Sequence, residues 1–143
     1  MTQPSLRELP GFERFAAFSL VDGHYTLNPV SAALPSVSGI YAFTQGSVVR
    51  YLGSAASFRS RMRDYARWQA NGGGRTQRPI HLHLREALVE GPVDVMFRHF
   101  EDELGEWHGL PVHLLLGIEG GLIRKLNPKW NRRGRNSVTI ELP

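Results

Sequence analysis

The sequence predicts a small α+β domain, with a three-stranded sheet, mixed or antiparallel, flanked by helices and preceded by a short N-terminal accessory segment. Two short apolar segments surround the turn-forming residues 44–47, a pattern typical of a β-hairpin. Downstream, apolar residues recur every three or four positions, as they do in helices that bury one face. Residues 93–100 alternate between apolar and polar types, which predicts a third strand. The order of hairpin, two helices, strand and helix indicates an α+β fold.

A single domain is expected, because 143 residues, 41% of them hydrophobic, can enclose one substantial core. We divide the chain into an accessory segment, residues 1–37, and a main domain, residues 38–143. The absence of cysteine excludes disulfides, thiolate zinc sites and a cysteine nucleophile. No stretch approaches the roughly 18 consecutive apolar residues of a membrane span, and the N-terminus lacks the pattern of a signal peptide. We therefore expect a cytoplasmic protein with no membrane partner.

The accessory segment carries phenylalanines at positions 12, 15 and 18. This helical spacing predicts a short helix from Gly11 to about Leu20. Residues 29–37 are rich in Ser, Ala and Pro and are interpreted as a connector.

The predicted hairpin occupies residues 38–53, and each of its strands places a tyrosine close to a glycine. The two groups are Gly39-Ile40-Tyr41 and Tyr51-Leu52-Gly53. Glycine weakens a strand, so it often marks a bulge or a position where another backbone or a ligand approaches closely. The pattern therefore indicates more than core packing.

A helix is predicted to begin near Ser54 or Ser57 and to run to about Gln69. Three arginines at a spacing of four share one face of this helix: Arg59, Arg63 and Arg67. A second helix over residues 79–90 would turn its apolar side chains inward: Ile80, Leu84, Ala87 and Leu88. The remaining predicted elements are a strand over 93–100, an acidic loop over 101–106, a helix from Pro111 to about Leu126, and a short strand over 137–142.

The charges are segregated along the chain, although the net charge is only +4. Residues 50–85 hold eight arginines and one acid, and residues 124–135 hold six basic residues and no acid, whereas residues 86–119 hold eight acids and one arginine. Two basic blocks that converge would attract a polyphosphate, for which nucleic acid is the usual candidate. The alternative is two ordinary solvated faces.

The glycine-rich residues 71–75 are either a basic loop that faces the nucleic acid or a plain linker. No Gly-Lys-Ser/Thr follows them, so they do not form a P-loop.

The six histidines do not have the spacing of a zinc site. His81 and His83 are two residues apart and so lie on different faces of a helix, and His108 and His113 do not have the i, i+4 spacing. No Ser/His/Asp set is evident. We expect most of the histidines to lie at the surface or in contact with phosphate.

Taken in order, several of these residues resemble the signature of the GIY-YIG nuclease family. Gly39-Ile40-Tyr41 and Tyr51-Leu52-Gly53 match the two tripeptides, with Leu in place of Ile in the second. Arg61 follows ten residues after the second tyrosine, and Tyr65 four residues later. The run from Glu119 to Asn127, followed by Pro128-Lys129-Trp130-Asn131, matches the end of the pattern. The resemblance covers residues 38–131.

The resemblance implies a metal-dependent DNA endonuclease with DNA as its partner. It implies that Tyr41 is the general base, that Arg61 binds the scissile phosphate, and that Glu119 holds the metal ion. Tyr51 and Tyr65 would hydrogen-bond to water or phosphate, and Asn131 would brace the site. A single hard carboxylate suits one Mg²⁺ or Mn²⁺ ion, with water and substrate phosphate as the other ligands.

The arginines outside that signature are expected to hold DNA phosphates: Arg59, Arg63, Arg67, Arg75, Arg132 and Arg133. Two alternatives remain open from the sequence. One is a nucleic-acid-binding module that keeps the fold without cutting, although such a module has no need of Glu119, an acid that repels DNA. The other is a nuclease toxin restrained by a partner protein. A homodimer or a targeting protein also remains open as a partner.

Overall fold

The computed structural model describes residues 3–30, 33–70 and 79–131. A single 3₁₀ turn, Leu6–Glu8, precedes the first strand. The strands and helices follow in this order: β1 Glu13–Val21, β2 His24–Pro29, β3 Gly39–Gln45, β4 Val48–Ala55, α1 Phe58–Ala70, α2 Pro79–Leu88, β5 Val93–His99, β6 Leu104–Trp107, β7 Leu110–His113 and α3 Leu114–Leu126. Several features predicted from the sequence lie outside the described residues: the glycine-rich segment 71–75 with Arg75, the arginines at 132 and 133, and the strand over 137–142.

The α+β prediction is confirmed, but the main sheet has five strands where three were predicted. Its order is β2-β1-β5-β3-β4, and every neighbouring pair is antiparallel. The sheet separates two groups of core side chains, because successive residues of a strand point to opposite faces. Tyr41 and Phe43 pack with α1 and α2, whereas Ile40 and Ala42 pack with α3.

The predicted helix from Gly11 to Leu20 is wrong, because these residues contribute most of β1. The register of β1 against β5 shifts between Arg14 and Ala16, so Phe15 is an extra residue in the strand. Such a bulge adds one residue on one strand and thereby changes which face the following side chains occupy. As a result Phe15 and Phe18, three residues apart, both pack on the same core cluster. Because of the bulge, the buried phenylalanines of β1 recur at a spacing that is otherwise typical of a helix.

The hairpin, the two following helices and the strand near residue 93 are confirmed. The acidic loop over 101–106 and the helix start at Pro111 are wrong in part. Residues 104–113 form a second hairpin, whose turn places His108 at φ 49° and Gly109 at φ 80°. Two consecutive left-handed residues are typical of a tight hairpin turn. Pro111 therefore lies in β7, and α3 begins at Leu114.

The residues after α3 return along the outer edge of β4. Asn127 ends the helix in a left-handed conformation, φ 51°, as expected of a C-terminal helix residue before proline. The backbone N–H of Trp130 then donates to the carbonyl of Arg50, 2.9 Å away. This segment covers an otherwise open strand edge, where the candidate site lies. None of the described helices is long and apolar enough to cross a bilayer.

Candidate active site

The close approach of Tyr41 to Gly53 forms the centre of the site. The two residues are paired across β3 and β4, and Tyr41 is only 1% exposed. A Cβ atom on Gly53 would lie 2.6 Å from both Cζ and the hydroxyl oxygen of Tyr41. Real Cβ atoms essentially never approach other heavy atoms so closely. Glycine is therefore required at position 53 for the phenol of Tyr41 to lie across β4.

Two further tyrosines surround this phenol. The hydroxyl of Tyr65, on α1, lies 3.1 Å from the hydroxyl of Tyr41. The ring of Tyr51, on β4, lies 6.2 Å from the ring of Tyr41 and stacks on Phe43. The edge-to-face and offset geometries are those that aromatic rings prefer in cores. The tyrosines are therefore fixed by packing, and their polar ends converge.

A cleft of about 440 Å³ opens at these polar ends. The side chains that line it are those of Tyr41, Tyr51, Arg61, Asp64, Tyr65, Ile80 and His81. Four of the predicted site residues thus come together in one cleft. Arg61 and Tyr65 reach it from α1 because they are one helical turn apart and share a face.

Glu119 lies on the other side of β4 from these tyrosines. The hydroxyl of Ser54 donates to Oε1 of Glu119 at 2.8 Å, and Ser54 follows Gly53 directly in the strand. Burial is the main cause of the raised pKa of Tyr41 and of Tyr51, and the negative charge of Glu119 adds a smaller upward contribution to each. The carboxylate is therefore close enough to the phenols to influence their ionisation.

The candidate metal ligand is a single carboxylate. Among the described residues there is no group of three or more His, Asp or Glu side chains that could hold a metal ion. Glu119 is half-buried, and Ser54 fixes the direction of one of its oxygens. A hard Mg²⁺ or Mn²⁺ ion commonly takes one carboxylate and fills its other positions with water and phosphate. The residues present fit one such ion.

The buried tyrosines keep their protons at neutral pH. Burial raises the pKa of Tyr41, and Glu119 raises it further, while the hydrogen bond from Tyr65 and the charge of Arg61 only partly offset these effects. Burial also raises the pKa of Tyr51 and of Tyr65. Burial lowers the pKa of Arg61, but the neighbouring Tyr41 and Tyr65 oxygens and Asp64 outweigh it, so the net shift is upward. Among the described residues that line the cleft, the positive charge of Arg61 therefore lies between protonated phenols and the exposed carboxylate of Asp64.

Asn131 is 6% exposed and bonds to the backbone of β4 with both ends of its amide. Its Oδ1 accepts from the N–H of Leu52 at 2.9 Å, and its Nδ2 donates to the carbonyl of Leu52 at 2.8 Å. The side chain thus makes the two hydrogen bonds that a neighbouring strand would make to Leu52, the residue before Gly53. This arrangement supports bracing as its function.

The predicted phosphate-binding arginines of α1 lie in different surroundings. The Nε of Arg59 donates to the carbonyl of Leu34 at 2.7 Å, so this side chain holds the connector against α1. Arg63 is exposed. Arg67 lies 4.0 Å from Asp64, and both are exposed, so their ion pair contributes little to stability. Contact of these arginines with DNA stays a prediction.

Sequence reasoning missed His81, which is 3% exposed and lines the cleft. A surface position, one of the two expectations for the histidines, is therefore wrong for this residue, and contact with phosphate stays a prediction. A signal was present, because His81, Leu84 and Leu88 recur at the spacing of one buried helix face. Tyr25, its hydrogen-bond partner on β2, could not be found from the sequence, because its position depends on how β2 joins the sheet.

The chain shares the fold of the GIY-YIG endonucleases, which confirms the resemblance at the level of fold. A mutant of bacteriophage T4 EndoII has a TM-score of 0.68 and 18% sequence identity, over 90% of this chain and 99% of that chain. Restriction endonuclease Hpy188I in complex with product DNA has a TM-score of 0.48 and 11% identity, over 96% of this chain and 94% of that chain. No protein-family profile and no curated protein matches the chain.

Proposed function

We propose that the protein is a DNA endonuclease that hydrolyses one phosphodiester bond per site with one divalent metal ion, Mg²⁺ or Mn²⁺, held by Glu119. The observation that carries the proposal is the cleft in which Tyr41, Tyr65 and Arg61 converge, with the carboxylate of Glu119 within electrostatic reach. A protein that only binds DNA has no use for a half-buried acid within electrostatic reach of its phosphate site.

Arg61 is the residue that would hold the scissile phosphate. Its guanidinium is permanently charged and planar, so it can donate two parallel hydrogen bonds to phosphate oxygens. In the cleft it lies beside Tyr41, and the phenols around it are uncharged at neutral pH. A phosphodiester that enters the cleft therefore meets this permanent positive charge, which can stabilise the negative charge that develops on the phosphoryl oxygens.

Tyr41 is the residue that would receive the proton of the attacking water, and it can do so only as the phenolate, after its own proton has left to solvent. The hydroxyl of Tyr65, 3.1 Å away, can donate to this phenolate oxygen and stabilise it. The metal ion, when bound at Glu119, supplies Lewis-acid stabilisation and increases the acidity of water near it. Because burial raises the pKa of Tyr41, formation of the phenolate depends on positive charge that lowers this pKa, from Arg61 and from the metal ion when it is bound. Tyr51 and Tyr65 fix the position of the phenol.

Cleavage of supercoiled plasmid and of labelled single-stranded, duplex and branched DNA tests the proposal, with Mg²⁺, Mn²⁺ or EDTA. We expect metal-dependent cutting that Glu119→Ala lowers by about a hundredfold or more, while DNA binding is kept. Glu106→Ala, an exposed acid of β6, is the matched control and should cut as the unchanged protein does.

Binding of DNA without cutting on any of these substrates would contradict the nuclease and favour the binding module. A toxin restrained by a partner would show a different result: poor expression of the unchanged chain that Glu119→Ala restores. The oligomeric state, measured by light scattering with and without DNA, tests the homodimer.

A further inference from the structure

Ser54 carries the hydroxyl that hydrogen-bonds to the candidate metal ligand. Its Oγ donates to Oε1 of Glu119 at 2.8 Å, and both side chains are half-buried. Within residues 3–30, 33–70 and 79–131, this carboxylate makes no second hydrogen bond and no ion pair. The two oxygens of Glu119 therefore differ, because Oε1 accepts from a hydroxyl and Oε2 has no donor from this part of the chain.

Both partners of this hydrogen bond are carried by packed elements. Ser54 lies in β4 opposite Ile40, whose side chain packs against α3 in the core. Paired residues of neighbouring antiparallel strands share one face of the sheet, so the side chain of Ser54 also faces α3. Glu119 lies in α3, which is anchored by its buried Leu115 and Ile123. The sheet and the helix therefore hold the hydroxyl and the carboxylate in contact before any ligand binds.

The hydrogen bond favours one way for the carboxylate to meet a metal ion. The terminal torsion of a glutamate side chain is broad, so an unrestrained carboxylate can turn one or both oxygens toward a cation. Donation from Ser54 restricts this torsion at Glu119. A cation shared equally by both oxygens withdraws charge from Oε1 and weakens the hydrogen bond. Coordination through Oε2 alone leaves the acceptor strength of Oε1 to Ser54.

Divalent ions differ in how they use a carboxylate. Mg²⁺ is small, requires near-ideal octahedral geometry and keeps several waters, which suits a carboxylate that offers one oxygen. Ca²⁺ is larger, takes about 6–8 oxygen ligands in flexible geometry and often binds both oxygens of one carboxylate. A carboxylate held for coordination through one oxygen therefore favours the smaller ion.

We propose that Ser54 is a positioning residue that makes Glu119 a one-oxygen ligand through Oε2, and that it thereby favours Mg²⁺ and Mn²⁺ over Ca²⁺. The inference rests on the proposed function, which places the metal ion at Glu119. Ser54 acts through Glu119 and does not itself touch the ion.

Titration of the protein with Mn²⁺ in the absence of DNA tests this selectivity without catalysis. Electron paramagnetic resonance measures the free Mn²⁺, and displacement of the bound Mn²⁺ by Mg²⁺ or Ca²⁺ ranks the three ions. We expect Ser54→Ala to weaken the binding of Mn²⁺ and Mg²⁺ about tenfold, as is usual when a metal ligand loses its hydrogen-bond partner. Binding of Ca²⁺ should not weaken, so the preference for Mg²⁺ over Ca²⁺ should fall by the same factor.

Two further variants make this titration specific for the hydroxyl. Ser54→Thr keeps a hydroxyl at this position and should restore the selectivity. Ser38→Ala is the matched control, because it removes another half-buried hydroxyl, which donates to the carbonyl of Phe100 at 2.7 Å, and should bind the three ions as the unchanged chain does. An equal loss of affinity for all three ions in Ser54→Ala, or no loss, would overturn the proposal.

Infrared difference spectra of the unchanged chain, with and without Mg²⁺, provide a second test that needs no variant of Ser54. The symmetric and antisymmetric stretching bands of a carboxylate lie further apart when one oxygen binds the ion than when both do. The bands of Glu119 are assigned by their loss in Glu119→Gln. We expect the wide separation with Mg²⁺, and a narrow separation would contradict coordination through one oxygen.

Failure of this inference can be distinguished from failure of the proposed function. If Glu119→Gln loses the bound Mn²⁺ but Ser54→Ala keeps the selectivity of the unchanged chain, Glu119 holds the metal ion and the assignment of Ser54 is wrong. If Glu119→Gln binds Mn²⁺ as tightly as the unchanged chain, the metal site of the proposed function is wrong and this inference is overturned with it.

Discussion

At the scale of single residues, the site depends on the absence of a Cβ atom at Gly53. Tyr41 can lie across β4 only because Gly53 has no Cβ, and the phenol then meets Tyr65 from α1. The tyrosine and the glycine are twelve positions apart in the chain but directly opposite in the sheet. The Gly–Tyr pattern of the hairpin is thus a packing requirement as well as a sequence signature.

Gly53→Ala is expected to displace the Tyr41 ring. The added methyl group would lie 2.6 Å from the phenol, so the ring must move or the strands must separate. We expect a loss of about 1–3 kcal/mol in the free energy of unfolding and a fall in kcat, both measurable on one preparation. Gly91→Ala is the matched control, since nothing lies within 4 Å of its Cβ. A Gly53→Ala variant with normal stability and activity would contradict the close approach.

All four tyrosines of the chain should resist ionisation in the folded protein. Burial raises the pKa of Tyr25, Tyr41, Tyr51 and Tyr65. A group whose pKa is higher in the folded than in the unfolded state stabilises the fold fully below its unfolded pKa, about 10 for tyrosine, and loses this contribution as pH rises beyond it. The free energy of unfolding in urea should therefore fall as pH rises above about 10. Phenolate absorbance that appears near the ordinary pKa while the protein is still folded would contradict this expectation.

At the scale of elements, the edge strand β4 is completed by a side chain instead of a strand. The amide of Asn131 satisfies both backbone groups of Leu52, and Trp130 satisfies the carbonyl of Arg50. An unpaired strand edge exposes backbone donors and acceptors. The segment after α3 therefore covers the edge and holds the strand that carries Tyr51 and Gly53.

Asn131→Ala should leave the N–H and the carbonyl of Leu52 without their partners. An unsatisfied buried polar group costs about 1–3 kcal/mol, so we expect a loss of at least about 2 kcal/mol in chemical unfolding. Faster hydrogen exchange at the Leu52 amide would locate the effect. Asn28→Ala, which removes only hydrogen bonds between exposed side chains, is the control and should change stability little. Equal stability of the two variants would exclude the bracing function.

At the scale of the whole molecule, the N-terminal strands belong to the same sheet as the predicted hairpin. β5 lies between β1 and β3, so the sheet continues from one part of the chain into the other. Phe18 and Tyr25 are fully buried in the core that also contains Tyr41 and Tyr65. The division of the chain into an accessory segment, residues 1–37, and a main domain stays a prediction. Because both parts contribute strands to one sheet, removing the segment tests it directly.

A fragment of residues 38–143 is expected not to fold. It would lose the hydrogen-bonding partner of one edge of β5 and two large aromatic residues of the core. Truncation of a buried aromatic side chain alone costs about 3–5 kcal/mol, which for two residues is comparable with a whole domain's stability of roughly 5–15 kcal/mol. Amide NMR spectra of the fragment and the full chain decide the matter. A dispersed spectrum for the fragment would show that residues 38–143 are an independent domain.

The sequence by itself determined the features whose signals are local. The hairpin of Tyr41 and Gly53, the helices α1 and α2 and the strand β5 all have regular periodicities bounded by turn residues. Arg61 and Tyr65 could be placed on one face of α1, because a helix brings residues four apart together. The resemblance of these residues to the GIY-YIG signature then predicted the fold that the structure has.

Only the tertiary structure decided the features that depend on pairing between distant segments. The bulge at Phe15 gives β1 the spacing of a helix, and the strand is recognisable only by its pairing with β5. The contact between His81 and Tyr25 joins residues 56 positions apart, and that of Asn131 with Leu52 joins residues 79 apart. Local periodicity carries no information about such partners. The sequence therefore predicted which side chains meet in the cleft, and the sheet determined what surrounds them.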